Sequence, residues 1–411
     1  MVKIVNFLLL VVGNAVSVFG NGVYLVSVLL ILTETTENAF VLGTLQFAAL
    51  FPSAVLAPLG GVLADRYSRV MIMVVMDLLR GGVMIALGIV FLLGFPVSAA
   101  VVILSALAVG AGNALFQPAV LALVPSIVDE QRLSRANGTR VASSQVANIT
   151  GTAVGGIVFA LFGAAFVFIV NGATYLLSAL SELFIKVNGS GAVAGRENRH
   201  GDVGAELREG VSFLLSHHDV TAALLSYTVL TILTPPVVLV IPFAVTGPLG
   251  LSTTWVGLLM AGMLGGGITG FLLHGDGKSR GSDVRGYILF SCALGILGTL
   301  LFFIGGGAVL PVAVRAGVAL LASLAGGGAI GWTYVNGLGY VQRQTPEALR
   351  SRVLSVGEAI SGFGVPIVYL LSGVWIQVFL SRLHMPVFIV AFVAILAALT
   401  PVALRYRSER R

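Results

Sequence analysis

The chain has 411 residues, of which 57% are hydrophobic and only 10% charged, and its mean hydropathy is +1.02. Soluble domains carry about a quarter charged residues, so a water-soluble globular fold is excluded and lipid is the expected solvent for most of the surface. The net charge of +6 is modest and confined to short breaks, which argues against nucleic acid and for anchoring at a membrane face.

The first apolar run, MVKIVNFLLLVVGNAVSVFGNGVYLVSVLLIL, is too long for a signal-peptide core and lacks a cleavage signature, so it reads as a membrane span. With roughly 20 apolar residues needed per crossing, polar breaks place six spans at about 4–32, 39–64, 70–94, 98–124, 136–161 and 165–187. Six more follow at about 220–245, 254–274, 286–306, 311–336, 353–380 and 386–404. The expected fold class is an all-α integral membrane protein with twelve transmembrane helices in two six-helix halves. Residues 1–187 form the N-terminal bundle, 188–219 a cytoplasmic linker, and 220–411 the C-terminal bundle. Within the linker, Leu207, Val211, Leu214 and Leu215 share one helical face, which predicts a short amphipathic helix lying on the membrane.

Basic residues fall at alternate breaks, among them Lys3, Arg66, Arg69, Arg132, Arg135, Lys186, Arg208, Arg280, Arg343 and Arg352. By the positive-inside rule both termini are cytoplasmic, in agreement with an even number of spans in a cytoplasmic (inner) membrane. The single cysteine, Cys292, rules out disulfides within the chain. The sequence also echoes itself: DEQRLSRAN (129–137) matches PEALRSRVL (346–354), and GVLADRYSR is weakly repeated as GFLLHGDGKSR. Offsets of about 217 and 209 residues, near half the length, predict halves related by an axis along the membrane normal, with a site near the midplane.

One ionic cluster stands out. Between the second and third spans, Gly61-x-Leu63-x-Asp65-Arg66-x-x-Arg69 concentrates charge in a short turn. The order resembles the loop 2–3 signature of the major facilitator superfamily, G-x-L-x-D-R-x-G-R, with Ser68 in place of the last glycine. NAVSVFGNGVY (14–24), DLLRG (77–81), LSRAN (133–137), ITGTAVGGIVFALFG (149–163), LREGVSFLLSH (207–217) and LRSRVLS (349–355) resemble one branch of it. That branch comprises macrolide-efflux-like drug exporters, the enterobactin exporter and lysophospholipid transporters. The resemblance implies a gating latch of Gly61, Asp65, Arg66 and Arg69, with Asp65 at the N-terminus of the eleventh span and the arginines on carboxylates of neighbouring loops, Glu358 among them. Two departures bear on mechanism. Asn21 stands where the branch often has an acid, and the fifth span carries Gly151, Gly155 and Gly156 without the antiporter proline, which leaves a helix-packing motif but removes the kink.

Charges within spans cost about 2.5–3.5 kcal/mol each at mid-bilayer and are functional candidates by default. Asp77 and Arg80 lie at i and i+3 and are expected to pair. Glu182 is expected to pair with Lys186 four residues on, while Glu358 has no local partner. Asp77, Glu358 and Glu182 are the candidates for proton coupling. Candidate lining of a substrate cavity comprises Asn14, Ser17, Asn21, Tyr24, Asn113, Gln117, Tyr227, Trp332 and Asn336, a neutral, aromatic-dotted set suited to amphipathic solutes. GGGITG (265–270) and GGGAIG (326–331) follow no strand, so close helix packing explains them better than nucleotide binding. Adjacent His217 and His218 have no metal-ligand spacing, and no nucleophile–base set or cofactor motif is present.

The expected function is therefore a monomeric, non-enzymatic secondary transporter. It would export amphipathic or hydrophobic small molecules across the lipid bilayer by alternating access, with protons as the coupling ion and no nucleic-acid partner. A lysophospholipid transporter is the rival of the same class, and a non-transporting scaffold or receptor on the same fold the rival of another.

Overall fold

The computed structural model describes residues 2–36, 38–186, 203–247, 249–272 and 310–380. Every regular element among them is helical. In chain order they are α1 (Val2–Thr36), α2 (Ala39–Arg66), α3 (Arg69–Leu92), α4 (Ala99–Ile127), a 3-10 turn (Glu130–Arg132) and α5 (Leu133–Leu183). Then come α6 (Val203–Ser216), α7 (His218–Thr246), α8 (Thr254–Leu272), α9 (Val312–Gln344) and α10 (Glu347–Leu380). Seven of these are long and apolar enough to cross a membrane, and shorter apolar helices cover Thr234–Thr246 and Thr254–Gly270. The spans expected at about 286–306 and 386–404 lie outside the described residues.

The fifth and sixth expected spans are not separate elements in the hydrogen-bond ladder. They are two arms of α5, broken at Gly163, whose φ of 73° and ψ of −176° no side-chain-bearing residue adopts comfortably. Without that break, 51 residues at about 1.5 Å each would overshoot a hydrocarbon core of about 30 Å more than twofold. Large apolar side chains face outward along the helices, for example Leu161 at 70% and Leu104 at 62% exposure. Lipid is the solvent in which such a surface is stable.

The contacts divide the chain into two compact units, Met1–Glu197 with Thr253–Leu258, and Asn198–Ser252 with Leu259–Arg411. In the first, α1 runs along α5, α2 packs on α4, and α3 packs on both α4 and α5. Leu10, Met73, Phe116, Val120, Leu123 and Ile127 form its core at one end. Asn6 ties α1 to the end of α5 by a reciprocal pair, donating to the Lys186 carbonyl at 2.6 Å and accepting from the Lys186 N–H at 3.1 Å. Lys3 adds an exposed ion pair to Asp129 at 2.6 Å, and this hydrogen bond, with the lysine's charge, holds the Asp129 carboxyl below its ordinary range. A depressed carboxyl stabilises the fold above its unfolded value, about pH 4, and loses that contribution as pH falls through the folded one. Lys3→Met is therefore expected to melt slightly earlier than the parent at pH 7 and together with it at pH 3. A difference of the same size at both pH values would contradict the pairing.

In the second unit α10 and α9 pack against α7, and α6 packs against α10. The glycine runs of α8 and α9 form a seam. A Cβ on Gly327 would overlap the Met263 carbonyl, one on Gly266 the Leu324 carbonyl, and one on Gly331 the Gly267 carbonyl. The helix α6 differs from expectation. Its Leu214 is buried with Val220, Leu224, Val341, Val353 and Val356, and a Cβ on Gly210 would meet the Arg352 carbonyl oxygen at 2.7 Å. Glu209 pairs with Arg352. Val211 and Leu215 stay exposed, at 40% and 72%, and the Leu207 side chain lies outside the described set. The apolar face is thus divided: its Leu214 edge docks on protein, and its Leu215 edge is left for another solvent.

Candidate functional site

The polar heart of the first unit is built from α3, α4, α1 and the second arm of α5. On α3, Arg80 and Asp77 lie one turn apart, and the guanidinium Nη2 donates to Asp77 Oδ1. Both are buried, at 3% and 0% exposure. Arg80 also donates to the Met76 carbonyl through Nε at 3.3 Å and to Asn113 Oδ1 on α4 through Nη1 at 3.5 Å. Two rings cover its guanidinium carbon, Phe116 at 4.2 Å and Tyr175 at 4.7 Å. Gly112 admits the arginine stem, since a Cβ there would stand 2.9 Å from Arg80 Cγ.

A second carboxylate joins this pair. Glu182 is 1% exposed, accepts from Ser178 Oγ at 3.4 Å, and interacts electrostatically with both Asp77 and Arg80. The expected pairing with Lys186 is absent. α5 ends at Leu183 and Phe184 caps it, so residue 186 is no longer one turn above residue 182 and Lys186 is exposed. Asp77 Oδ2 and Glu182 Oε2 are buried without a hydrogen-bond partner among the described residues. Arg80 thus pairs directly with Asp77 alone, while Glu182 is a second buried carboxylate held by Ser178 and without a cation of its own within ion-pair distance among the described residues.

Sequence reading missed Tyr175 and Ser178, although a signal existed. Asn171, Tyr175, Ser178 and Glu182 are spaced four, three and four residues apart, one polar stripe on a helix, and all four are buried. Tyr175 Oη donates to Asn21 Oδ1 on α1 at 2.6 Å.

The remaining candidates scatter. Asn14 donates to Ser144 Oγ at 2.8 Å and its carbonyl accepts from Ser17 at 3.0 Å, so both buried groups serve helix packing. Tyr24 packs edge-on to Phe168 at 5.7 Å with its hydroxyl buried and unpartnered among the described residues. Gln117 is exposed on α4. On α9, Trp332 is half-buried and its carbonyl accepts from buried Asn336 at 2.8 Å. The Tyr227 side chain lies outside the described residues. Gly151 and Gly155 abut the Phe19 and Val23 carbonyls of α1, and Gly156 is buried as well.

At the end of α2, Asp65 and Arg66 are exposed, and a Cβ on Gly61 would meet nothing within 4 Å. Ser68, the departure from the signature, is the N-cap of α3 and accepts from the Met71 N–H at 3.4 Å. Arg69 does not reach a carboxylate. Its Nη1 donates to the Ala122 carbonyl at 2.9 Å and to Ser126 Oγ at 2.8 Å, near the C-terminal end of α4, where the helix dipole favours a cation. Glu358 is exposed on α10 and interacts electrostatically with Tyr334 of α9.

A family model described as Major Facilitator Superfamily matches residues 10–330. The chain belongs to the major facilitator superfamily. Among curated relatives of this superfamily member, macrolide efflux protein A of Streptococcus pyogenes is 30% identical over 151 residues, 36% of this chain and 37% of the relative. Lysophospholipid transporter LplT of Photorhabdus laumondii is 31% identical over 143 residues, 34% and 33% of the two chains. The matches thus span little more than a third of either relative. Among solved structures, the nucleoside transporter NupG superposes with a TM-score of 0.68 at 13% identity, over 98% of both chains. A bacterial homologue of the human lysosomal transporter Spinster gives 0.67 at 13% identity, over 90% of this chain and 82% of that one. These likenesses show the fold: a multi-pass, all-helical membrane protein of the superfamily.

Proposed function

We propose that the protein is a proton-coupled antiporter that exports amphipathic or hydrophobic small molecules across the cytoplasmic membrane by alternating access of two six-helix halves. Both termini face the cytoplasm and the working unit is a monomer. The observation that carries the reading is the buried Asp77–Arg80 pair with a second buried carboxylate, Glu182, that has no cation at ion-pair distance among the described residues. Such a cluster gains or loses a single proton far more readily than two, because the second charge has no counter-ion. The proton enters on a carboxylate oxygen of Glu182 or Asp77 from one side and leaves to the other. Glu358 is the remaining coupling candidate. The Gly61–Arg69 turn is the cytoplasmic latch, and Asn21, Asn113 and Gln117 lie on helices that contribute to the substrate path.

Glu182→Gln keeps the volume and the bond from Ser178 but cannot cycle a proton. In proteoliposomes carrying an imposed pH gradient, gradient-driven movement of labelled erythromycin is expected to fall at least about tenfold, while downhill exchange persists. Undiminished gradient-driven movement would remove Glu182 from the mechanism.

The similarity to a lysophospholipid transporter supports a second reading, movement of lysophospholipids between leaflets. Labelled lysophosphatidylethanolamine in the same liposomes separates the two. Lysolipid transfer that is indifferent to the pH gradient, with no erythromycin movement, would favour the lipid.

A further inference from the structure

We propose that Tyr175 is a positioning residue that ties Asn21 on α1 to the ionic cluster, so that what happens at Asn21 is felt by the group that holds the proton. The inference rests on the proton-carrying role given to the cluster above. Three observations place Tyr175 there. It is 1% exposed, its hydroxyl bonds Asn21 Oδ1 at 2.6 Å, and its ring lies 4.7 Å from the Arg80 guanidinium carbon. Arg80 in turn is the cation paired with Asp77, and Glu182, two turns beyond Tyr175 on the same helix, accepts from Ser178. The path thus crosses from α1 through α5 to α3 by contact at every step, which is the physical requirement for coupling between separate groups.

Asn21 is half-buried, whereas every other member of the path is almost fully enclosed. Its carbonyl oxygen is committed to Tyr175, which leaves the amide N–H2 as its remaining hydrogen-bonding group. A solute that accepts a hydrogen bond there, through a carbonyl, ether or hydroxyl oxygen, pulls on the amide and through it on the tyrosine. Asn21 thereby becomes the specificity-determining position for acceptor-bearing solutes. The ionisable groups around Tyr175 are Arg80 and Asp77 on α3, Tyr24 on α1 and Glu182 on its own helix, while α4 contributes the neutral Asn113 and Phe116.

The test reads the proton directly. Protein in lipid nanodiscs is titrated from pH 4 to pH 10 while the carboxylic-acid carbonyl band is followed by infrared difference spectroscopy, with Glu182→Gln identifying the component that belongs to the cluster. Tyr175→Phe keeps the ring over Arg80 and removes only the hydroxyl, and Asn21→Ala removes only its partner. One neutral hydrogen bond corresponds to about a two- to tenfold change in an equilibrium constant. Each variant is therefore expected to change the proton affinity of the cluster about fivefold. The double variant should change it no further than the larger single change, since both delete the same bond. Ser27→Ala, further along α1, should leave it unmoved. A titration that responds to Glu182→Gln but stays within about twofold for both Tyr175→Phe and Asn21→Ala sinks the link alone. One that ignores Glu182→Gln sinks the proton site itself. If Tyr175→Phe does not fold, Asn21→Ala decides by itself, because it leaves the buried tyrosine in place.

Discussion

Replacing Arg80 with Met is expected to lower the stability of the protein by about 3–5 kcal/mol, the cost of leaving the buried Asp77 carboxylate without the cation it pairs with. Methionine fills most of the arginine stem's path past Gly112 and lies against Phe116 and Tyr175, so the loss arises from charge and not from a cavity. What remains is Asp77, 0% exposed and stripped of its cation, with Glu182, 1% exposed, buried in the same unit. Asp77→Asn combined with Arg80→Met removes one charge of each sign and should recover most of the lost stability. Thermal unfolding in detergent measures both, with an expected drop of about 5–10 °C for the single variant. A single variant that melts with the parent would mean that the cluster is solvated after all. The two-carboxylate reading would then fall with it.

The second large effect concerns the glycine seam between α8 and α9. Gly327→Ala should destabilise the second unit, because its new Cβ would overlap the backbone carbonyl of Met263, which cannot rotate away. The helices must separate, at a cost of about 1–3 kcal/mol for overpacking, and Gly327→Leu should prevent folding outright. The neighbouring residue supplies the control. A Cβ on Gly326 meets nothing within 4 Å, so Gly326→Ala gains the helix propensity of alanine, about 1 kcal/mol, without a clash. Adjacent, chemically identical substitutions are thus expected to move thermal unfolding in opposite directions. Equal shifts would show that the helices do not cross at this closeness.

The two glycine runs were assigned to helix packing from their setting alone, and the close approach at Gly266, Gly270, Gly327 and Gly331 bears that reading out. The Asp77–Arg80 pair was also legible, because two residues three apart on a helix are neighbours wherever the helix lies. Glu182 was placed with Lys186 by the same rule and the rule failed, since the helix stops at Leu183. Arg69 was assigned to carboxylates and found the end of α4 instead. Its neighbour Ser68 was marked as a departure from a signature, yet it is the cap that starts α3.

By itself the sequence determined the solvent, the helical class and where most of the helices lie among the described residues. It did so because hydropathy and turn residues act within one segment, over distances of a few residues. It also determined which residues share a helical face. Only the tertiary structure decided which faces meet: that Glu182 joins Asp77 across two helices, that Tyr175 bridges Asn21 and Arg80, and that α6 docks its Leu214 edge on α10. Those outcomes depend on where helix axes cross and how closely glycines let them approach, and residue spacing along a chain does not encode the angle at which another helix passes over it.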